Sequence, residues 1–460
     1  MKTLIKTLIL LFVVSAFNSC DESLSVGDSF DDVQLKAAKP KLTSWIIQFS
    51  DSLQSNIDLL SAQLISGAYE ANNAIIEQLA VDIFEKYNIT YGEIEKVYGN
   101  SIWGVCVTIS TDDALFLEEE TPEVTSAARN TGVAANGKPV KPSKDEPTPD
   151  PVPESQVIPS GVSMVLGNTQ PSSNNEGKRV WIIDTGVSSH DELNVLTGKS
   201  CVSYTGSAND DNGHGTHLAG IIAAINDTIG VVGVAPGTTI IPIKVLDSKG
   251  AGYEADALEG IDFVAANCEA GDVVLIAFNG NSRDYMDYAV EAIAKKGIKV
   301  AISAGNLGVN ASANSPAGAY HKNIYTVSAC DTLGQFWGSS NFGNPPIDIC
   351  APGVDIYSTS LNNSYSTLSG TSMSAAHVAG LLVLGWDGEY DNTVSGDKED
   401  LYYPVEPRTS RDDLGAYVVY RDYGKPDPIA LLNGTYTIND YWKVLDIISI
   451  NPLEWILSEK

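Results

Sequence analysis

The sequence predicts an α/β protein: a doubly wound, mainly parallel sheet with helices on both faces, preceded by a small α+β domain. Three observations carry that prediction. Between residues 180 and 384, short runs rich in Val, Ile and Ala alternate with helical stretches; continuous apolar strands separated by helices mark a parallel sheet covered on both sides. Residues 41–130 carry a separate, shorter strand-and-helix pattern of their own. Between the two lies KPVKPSKDEPTPDPVPE, whose proline and charge favour an extended, solvated, semi-rigid linker open to proteolysis.

Taken in order, MKTLIKTLILLFVVSAFNSC sets Lys2 and Lys6 before an apolar run that stops at Asn18. The run is too short to span a bilayer, so residues 1–19 read as an export signal. Residues 20–40 are polar and acidic, a tether. In 41–130, residues 44–49 read as a strand, 74–87 as an amphipathic helix, and 89–98 and 103–109 as further strands. Thr111-Asp112-Asp113 caps a helix through 119, and 124–126 closes the sheet. This β-α-β-β-α-β order is ferredoxin-like. The linker occupies 131–154, and the main domain 155–390. Its strands are expected at 180–183, 240–245, 272–278, 299–303 and 324–328, and its helices at 214–225, 255–266, 285–294 and 372–384. In such sheets a site lies at the C-terminal ends of the strands, where Asp184 falls. Residues 391–460 are acidic and turn-rich, an extension whose role the sequence does not reveal.

A length of 460 residues allows two or three domains and a sizeable core. The net charge of −30 favours solubility and argues against nucleic-acid binding, since phosphates would be repelled. Six cysteines in so long a chain do not make a disulfide scaffold. Export would permit disulfides, and Cys330 with Cys350 is the pair that two predicted core strands favour, although sequence does not determine connectivity.

Three segments carry the chemistry: WIIDTGVSSHDEL with Asp184, DDNGHGTHLAGII with His214, and LSGTSMSAAHVAG with Ser372. A serine hydroxyl is a weak nucleophile until an imidazole takes its proton, and the imidazole needs a carboxylate to fix its tautomer. Ser372 heads a predicted helix, close to free backbone N–H groups and the positive end of the dipole. Two other readings are weaker. His217, three residues after His214, could form a metal pair, but no H-E-x-x-H pattern or third ligand accompanies it. Asp184-Thr185-Gly186 is also how aspartic proteases present a carboxylate, but they need two, and this chain has one D-T-G.

The Asp…His…Ser order and the three segments together resemble the subtilisin-like serine proteases. The resemblance implies a subtilisin-like fold, a serine endopeptidase acting on polypeptides, and catalytic roles for Asp184, His214 and Ser372. It also implies an oxyanion-hole role for Asn306 in AISAGNLG, and substrate contacts from Ala277, Phe278, Asn279 and Gly280. Asn314 is expected near the floor of the primary specificity pocket. Asn279 stands where the family usually carries glycine, and Ala376 where it usually carries proline. By the same resemblance a calcium ion is held by carbonyls of Ile225, Ile229 and Val231 and by side chains of Asp227, Glu192 and Gln156, six oxygens suited to that ion. Glu192 replaces the usual aspartate. Residues 41–130 resemble the family's inhibitory propeptide, the segment SQVIPSGVSMV from Ser155 resembles the mature start, and Cys20 followed by Asp21 and Glu22 resembles a bacterial lipoprotein processing site. The expected protein is therefore an exported, lipid-anchored zymogen, held at the cell envelope or released on maturation, with its own propeptide as partner. It contacts the membrane through the anchor only. The alternative is a surface-held binding protein on a protease fold with little turnover, motivated by Asn279, Ala376 and the C-terminal extension.

Overall fold

The computed structural model describes residues 41–50, 68–136, 138–139, 155–167, 170–171, 177–343 and 346–386. Cys20, with the signal and tether, and the extension from 391 onward lie outside the described residues.

The first module is built from β1 (Thr43–Phe49), α1 (Tyr69–Lys86), β2 (Tyr91–Tyr98), β3 (Gly104–Ile109), α2 (Thr111–Glu120) and β4 (Val124–Arg129). Its antiparallel sheet has the order β2-β3-β1-β4. Alternation decides the packing, because residues i and i+2 share a face. Trp45, Ile47 and Phe49 of β1 meet Ile76, Ala80, Ile83 and Phe84 of α1, while Ile46 and Cys106 on the other face join a different core. Ser110 caps α2 by accepting from the Asp113 N–H at 3.0 Å, one residue earlier than the sequence suggests.

The chain then forms β5 (Gly132–Ala135) and the two-residue β6 (Lys138–Pro139). Both lie in the stretch assigned above to a solvated linker. Neither is solvated in that sense, because each pairs with strands of the main domain.

The main domain runs α3 (Ser160–Leu166), β7 (Arg179–Asp184), β8 (Asn194–Val195), β9 (Lys199–Ser200), α4 (His214–Ala223), β10 (Thr239–Lys244), β11 (Ala251–Tyr253), α5 (Glu254–Asn267), β12 (Val273–Ile276), β13 (Phe278–Asn281), α6 (Asp284–Lys295), β14 (Lys299–Ser303), β15 (Asn314–Ser315), β16 (Ile324–Cys330), β17 (Ile349–Pro352), β18 (Ile356–Ser360), β19 (Ser364–Ser369) and α7 (Thr371–Val383). Its large sheet has the order β17-β16-β14-β12-β7-β10-β8, with β9 beside β10, and these strands pair in parallel. Both faces are covered, and again alternation assigns the residues. Trp181 and Ile183 pack toward α5 and α6, whereas Val180 and Ile182 pack toward α4 and α7.

The order of the strands reverses about β7, with β10 on one side and β12 on the other. Sheets of this type open a crevice at that switch point. One predicted strand breaks in two. The expected 272–278 run is β12 and β13 with Ala277 between them, and this frees the Ala277 carbonyl from the sheet ladder.

The first module packs on α5. Asp262 of α5, fully buried, accepts from the N–H groups of Asn100 and Ser101 at 2.7 Å each, from Ser101 Oγ at 2.9 Å and from Asn100 Nδ2 at 2.9 Å. Lys96 reaches Glu259 and the Cys201 carbonyl nearby. The buried, multiply bonded carboxylate outweighs the partly exposed ion pair, since hydrogen bonds to a buried charge are stronger and costlier to lose.

Cys330 on β16 and Cys350 on β17, the neighbouring strand, are both free thiols. The expected disulfide is not formed in this structure. Among the described residues no helix is long and apolar enough to cross a membrane.

Candidate active site

The sheet register brings the candidate residues to one level. Ile183 of β7 stands opposite Ile276 of β12, which stands opposite Ile302 of β14. The next residues, Asp184, Ala277 and Ser303, therefore share the C-terminal edge of three adjacent strands, each about 4.8 Å from the next.

His214 begins α4, and two glycines let the helix enter there. Gly213 adopts φ +106°, a region open to glycine and strained for other residues. At Gly215 a Cβ would lie 2.0 Å from the Gly186 carbonyl. Asp210 fixes the helix start: Oδ1 accepts from the N–H groups of Asn212 and Gly213, and Oδ2 from the Thr216 N–H and hydroxyl, all between 2.7 and 3.0 Å. The result is a 2.7 Å hydrogen bond between His214 Nδ1 and Asp184 Oδ1, both side chains buried. Burial opposes a charged imidazole, but the Asp184 carboxylate and this bond override it, so His214 sits above its ordinary value. His214 Nε2 makes no hydrogen bond among the described residues.

Ser372 lies in the first turn of α7, and its hydroxyl donates to the freed Ala277 carbonyl at 3.1 Å. Asn306 follows β14. Its Oδ1 accepts from the Thr371 N–H and hydroxyl, each at 3.0 Å, which leaves Nδ2 to point into the cleft. There it donates to the backbone carbonyl of Asn136.

Asn136 belongs to the former linker. Its N–H donates to Ala277 O at 3.1 Å, so this amide and the Ser372 hydroxyl share one acceptor. Ahead of it β5 lies antiparallel between β11 and β13, with Ala134 opposite Ala251 and Asn279, and Ala135 opposite Phe278. Beyond it β6 pairs with β19. A peptide is thus held extended across the edge, in a β-augmentation mode. Ala277, Phe278 and Asn279 all take part. Gly280 lies against Val133, where an added Cβ would come within 2.9 Å of that side chain. Asn314 supports the wall, donating to the Gly280 carbonyl at 3.0 Å and accepting from Asn341 Nδ2 at 3.1 Å.

His217 faces away from this site. Its Nε2 lies 3.0 and 3.1 Å from the carbonyls of Ile356 and Ser366, and burial lowers it to about 3. It serves as a strand anchor rather than a metal ligand.

The expected calcium ligands are only partly assembled. Gln156 Nε2 donates to Ile225 O at 2.9 Å, with Asp227 Oδ1 and Val231 O each 3.5 Å away. Three oxygens therefore converge on one point, and a turned-over amide would add its own oxygen. Ile229 contributes an N–H to Asp227 Oδ1 at 2.9 Å. Glu192 does not join. Its carboxylate accepts from the Tyr365 hydroxyl and from the Val231 N–H, a reach its extra methylene permits.

Four participants were not singled out from the sequence: Asn136, Ser303, Asp210 and Thr371. Asp210 carried a legible signal, an Asp ahead of an apolar helix. Thr371 could have been noticed as a hydroxyl beside Ser372. For Asn136 no local signal exists.

Comparison with known proteins agrees in kind. The profile of the subtilase family matches residues 175–406, half of the chain. A "Thermostable alkaline protease" of Halalkalibacterium halodurans is 40% identical over 235 residues, covering 50% of this chain and 63% of that protein. "Subtilisin DY" of Bacillus licheniformis is 37% identical over 234 residues, with 50% and 84% covered. "M-protease" of Shouchella clausii is 32% identical over 342 residues, with 70% and 86% covered. The chain thus spans less than two thirds of the first of these relatives.

Proposed function

The chain belongs to the subtilase family, and from that premise we propose that it is an exported serine endopeptidase, made as a zymogen, that hydrolyses peptide bonds through Asp184, His214 and Ser372. One observation carries the reading: a peptide carbonyl, that of Asn136, is received by the Asn306 amide while the Ser372 hydroxyl sits on the same Ala277 oxygen as the Asn136 N–H.

The chemistry follows from the geometry. A rotation about the Ser372 side chain transfers its hydrogen bond from Ala277 to the free Nε2 of His214. The imidazole removes the proton as Oγ attacks the carbonyl carbon, and Asp184 stabilises the imidazolium through Nδ1. Negative charge develops on the carbonyl oxygen, where the Asn306 Nδ2 and the Ser372 N–H at the head of α7 can meet it. The imidazolium then protonates the leaving amine, and water releases the acyl group.

The module at 41–130 is the proposed inhibitory propeptide. Its four-stranded order, its docking on α5 and the continuation of its chain through the cleft support that role. Calcium is proposed as a structural ion held by Gln156, Asp227 and the carbonyls of Ile225 and Val231, with Ile229 completing the loop and Glu192 outside the set. When bound, it would tie the loop after α4 to the chain near Ser155. Cys20 is the proposed lipid anchor.

Replacing Ser372 with Ala should abolish both casein hydrolysis and labelling by a fluorophosphonate. Retained hydrolysis in that variant refutes the assignment. A wild-type chain, freed of its propeptide, that takes no label supports the binding-protein alternative instead.

A further inference from the structure

We infer that the substrate pocket beside Ser372 selects asparagine, and that the chain matures by cutting itself after Asn136. The inference rests on the protease reading above and adds to it a side chain and a bond.

The pocket is defined by what the Asn136 side chain touches. Only 8% exposed, its Nδ2 donates to Ser303 Oγ at 2.8 Å and to Asn279 Oδ1. The polarity of this arrangement is imposed from behind. Asn279 Nδ2 faces the Ser303 carbonyl at 3.3 Å, which turns Asn279 Oδ1 toward the entering side chain. An acceptor held in a buried pocket calls for a donor. Asparagine supplies one, leucine or phenylalanine leaves the acceptor unpaired, and aspartate sets oxygen against oxygen. Depth is limited as well, because Gly305 forms the wall. A Cβ there would lie 2.4 Å from Asn341 Nδ2 and 2.9 Å from Asn279 Oδ1. The pocket therefore closes around an amide on a single methylene. Val133, three residues earlier and 4% exposed, fills the second buried position against Gly280, while Ala134 is exposed. The recognised pattern is a small apolar residue, two small residues and Asn.

The bond follows from the backbone. Strand pairing flanks the Asn136 carbonyl on both sides, β5 before it and β6 after it, as a substrate's residues would be paired on either side of a scissile bond. Ser372 Oγ adds to the Asn136 carbonyl carbon, the C–N bond to Gly137 breaks, and the proton from Oγ passes by way of His214 to the new amine. One water molecule then frees Ser372 and leaves Asn136 with a terminal carboxylate. The new N-terminus, Gly137, would lie 18 residues ahead of Ser155.

The full-length chain tests both parts. Mass spectrometry and N-terminal sequencing of the matured wild type should find Gly137 as the new N-terminus, and Ser372→Ala should stay uncut. A mature wild type starting elsewhere, or Ser372→Ala cut at the same bond, overturns the maturation site. With matured enzyme, the chromogenic peptide Val-Ala-Ala-Asn should be turned over with a kcat/KM at least tenfold above Val-Ala-Ala-Leu. Asn279→Gly should reverse that ratio. Equal or better use of the Leu peptide by wild type sinks the asparagine preference and leaves the protease reading intact. Failure on both peptides together with no fluorophosphonate label sinks the protease reading itself.

Discussion

At the scale of single residues, His214 shows how one neighbour decides a function. Burial alone would favour a neutral imidazole; the Asp184 carboxylate at 2.7 Å reverses the balance and raises the imidazole above its ordinary value. The proposed base is useful only when neutral, and the raised value means that the charged form persists to higher pH. Activity should therefore be lost as pH falls through a midpoint above about 6.5, the ordinary imidazole value. The acid limb of kcat/KM on a neutral peptide measures this, and a midpoint at or below that value contradicts the assigned pair. Asp184→Asn should lower kcat by about 10⁴-fold, the loss expected when the tautomer is wrong. Asn306 shows the same logic with hydrogen bonds instead of charge. Its oxygen is occupied by Thr371, so its amide nitrogen has one direction left.

At the scale of elements, the loop after α4 is where a bound ion would act. The oxygens of Ile225, Asp227 and Val231 already face one point, while Glu192 is held by Tyr365 and the Val231 N–H. For the Ser372→Ala chain, which cannot digest itself, chelation should lower Tm by several degrees. Binding at about a hundredfold excess over Kd stabilises by about 2.7 kcal/mol. Calcium should restore the loss and magnesium should not. Asp227→Ala should remove the response, whereas Glu192→Gln should keep it. Loss of the response in Glu192→Gln, measured by calorimetry, would return that carboxylate to the ligand set. At the other end of α4 side chains satisfy the free N–H groups: Asn212 Oδ1 accepts from His214, Thr185 Oγ1 from Gly215 and Asp210 Oδ2 from Thr216.

At the scale of the whole molecule, the first module and the main domain are joined at two places of unlike strength. The strand through the cleft is common to any extended substrate, but the Asp262 network is specific to the module. Removing that carboxylate leaves its donors unpaired, a cost of about 1–3 kcal/mol for each one kept from water. In the full-length chain, if the first module is the inhibitor proposed above, Asp262→Ala should shorten the lag before activity appears, by at least tenfold in the rate of release of that module. The time course of fluorophosphonate labelling reads this directly. An unchanged lag would mean that the cleft strand alone holds the module.

Much of this was legible along the chain, and the reason is local. Alternation in β1 and β7 and the glycines around His214 act over a few residues, so their pattern survives in the sequence; Ser110 and Asp210 are just as local but were not picked out. Departures came where a residue's partner lies far away. The 272–278 run splits at Ala277 because the chain changes partners there, pairing with β7 and β14 before it and with the distant β5 after it. Glu192 left the expected ligand set because Tyr365, on β19, donates its hydroxyl to that carboxylate.

By itself, then, the amino-acid order determined the parallel sheet, the main helices that cover it and which side chains could carry nucleophilic chemistry, because propensity and periodicity are short-range. Tertiary structure alone decided that residues 132–136 lie in the cleft and that Asn279 turns an acceptor toward Asn136. Both depend on strand register between segments more than a hundred residues apart, and no window of sequence contains both partners.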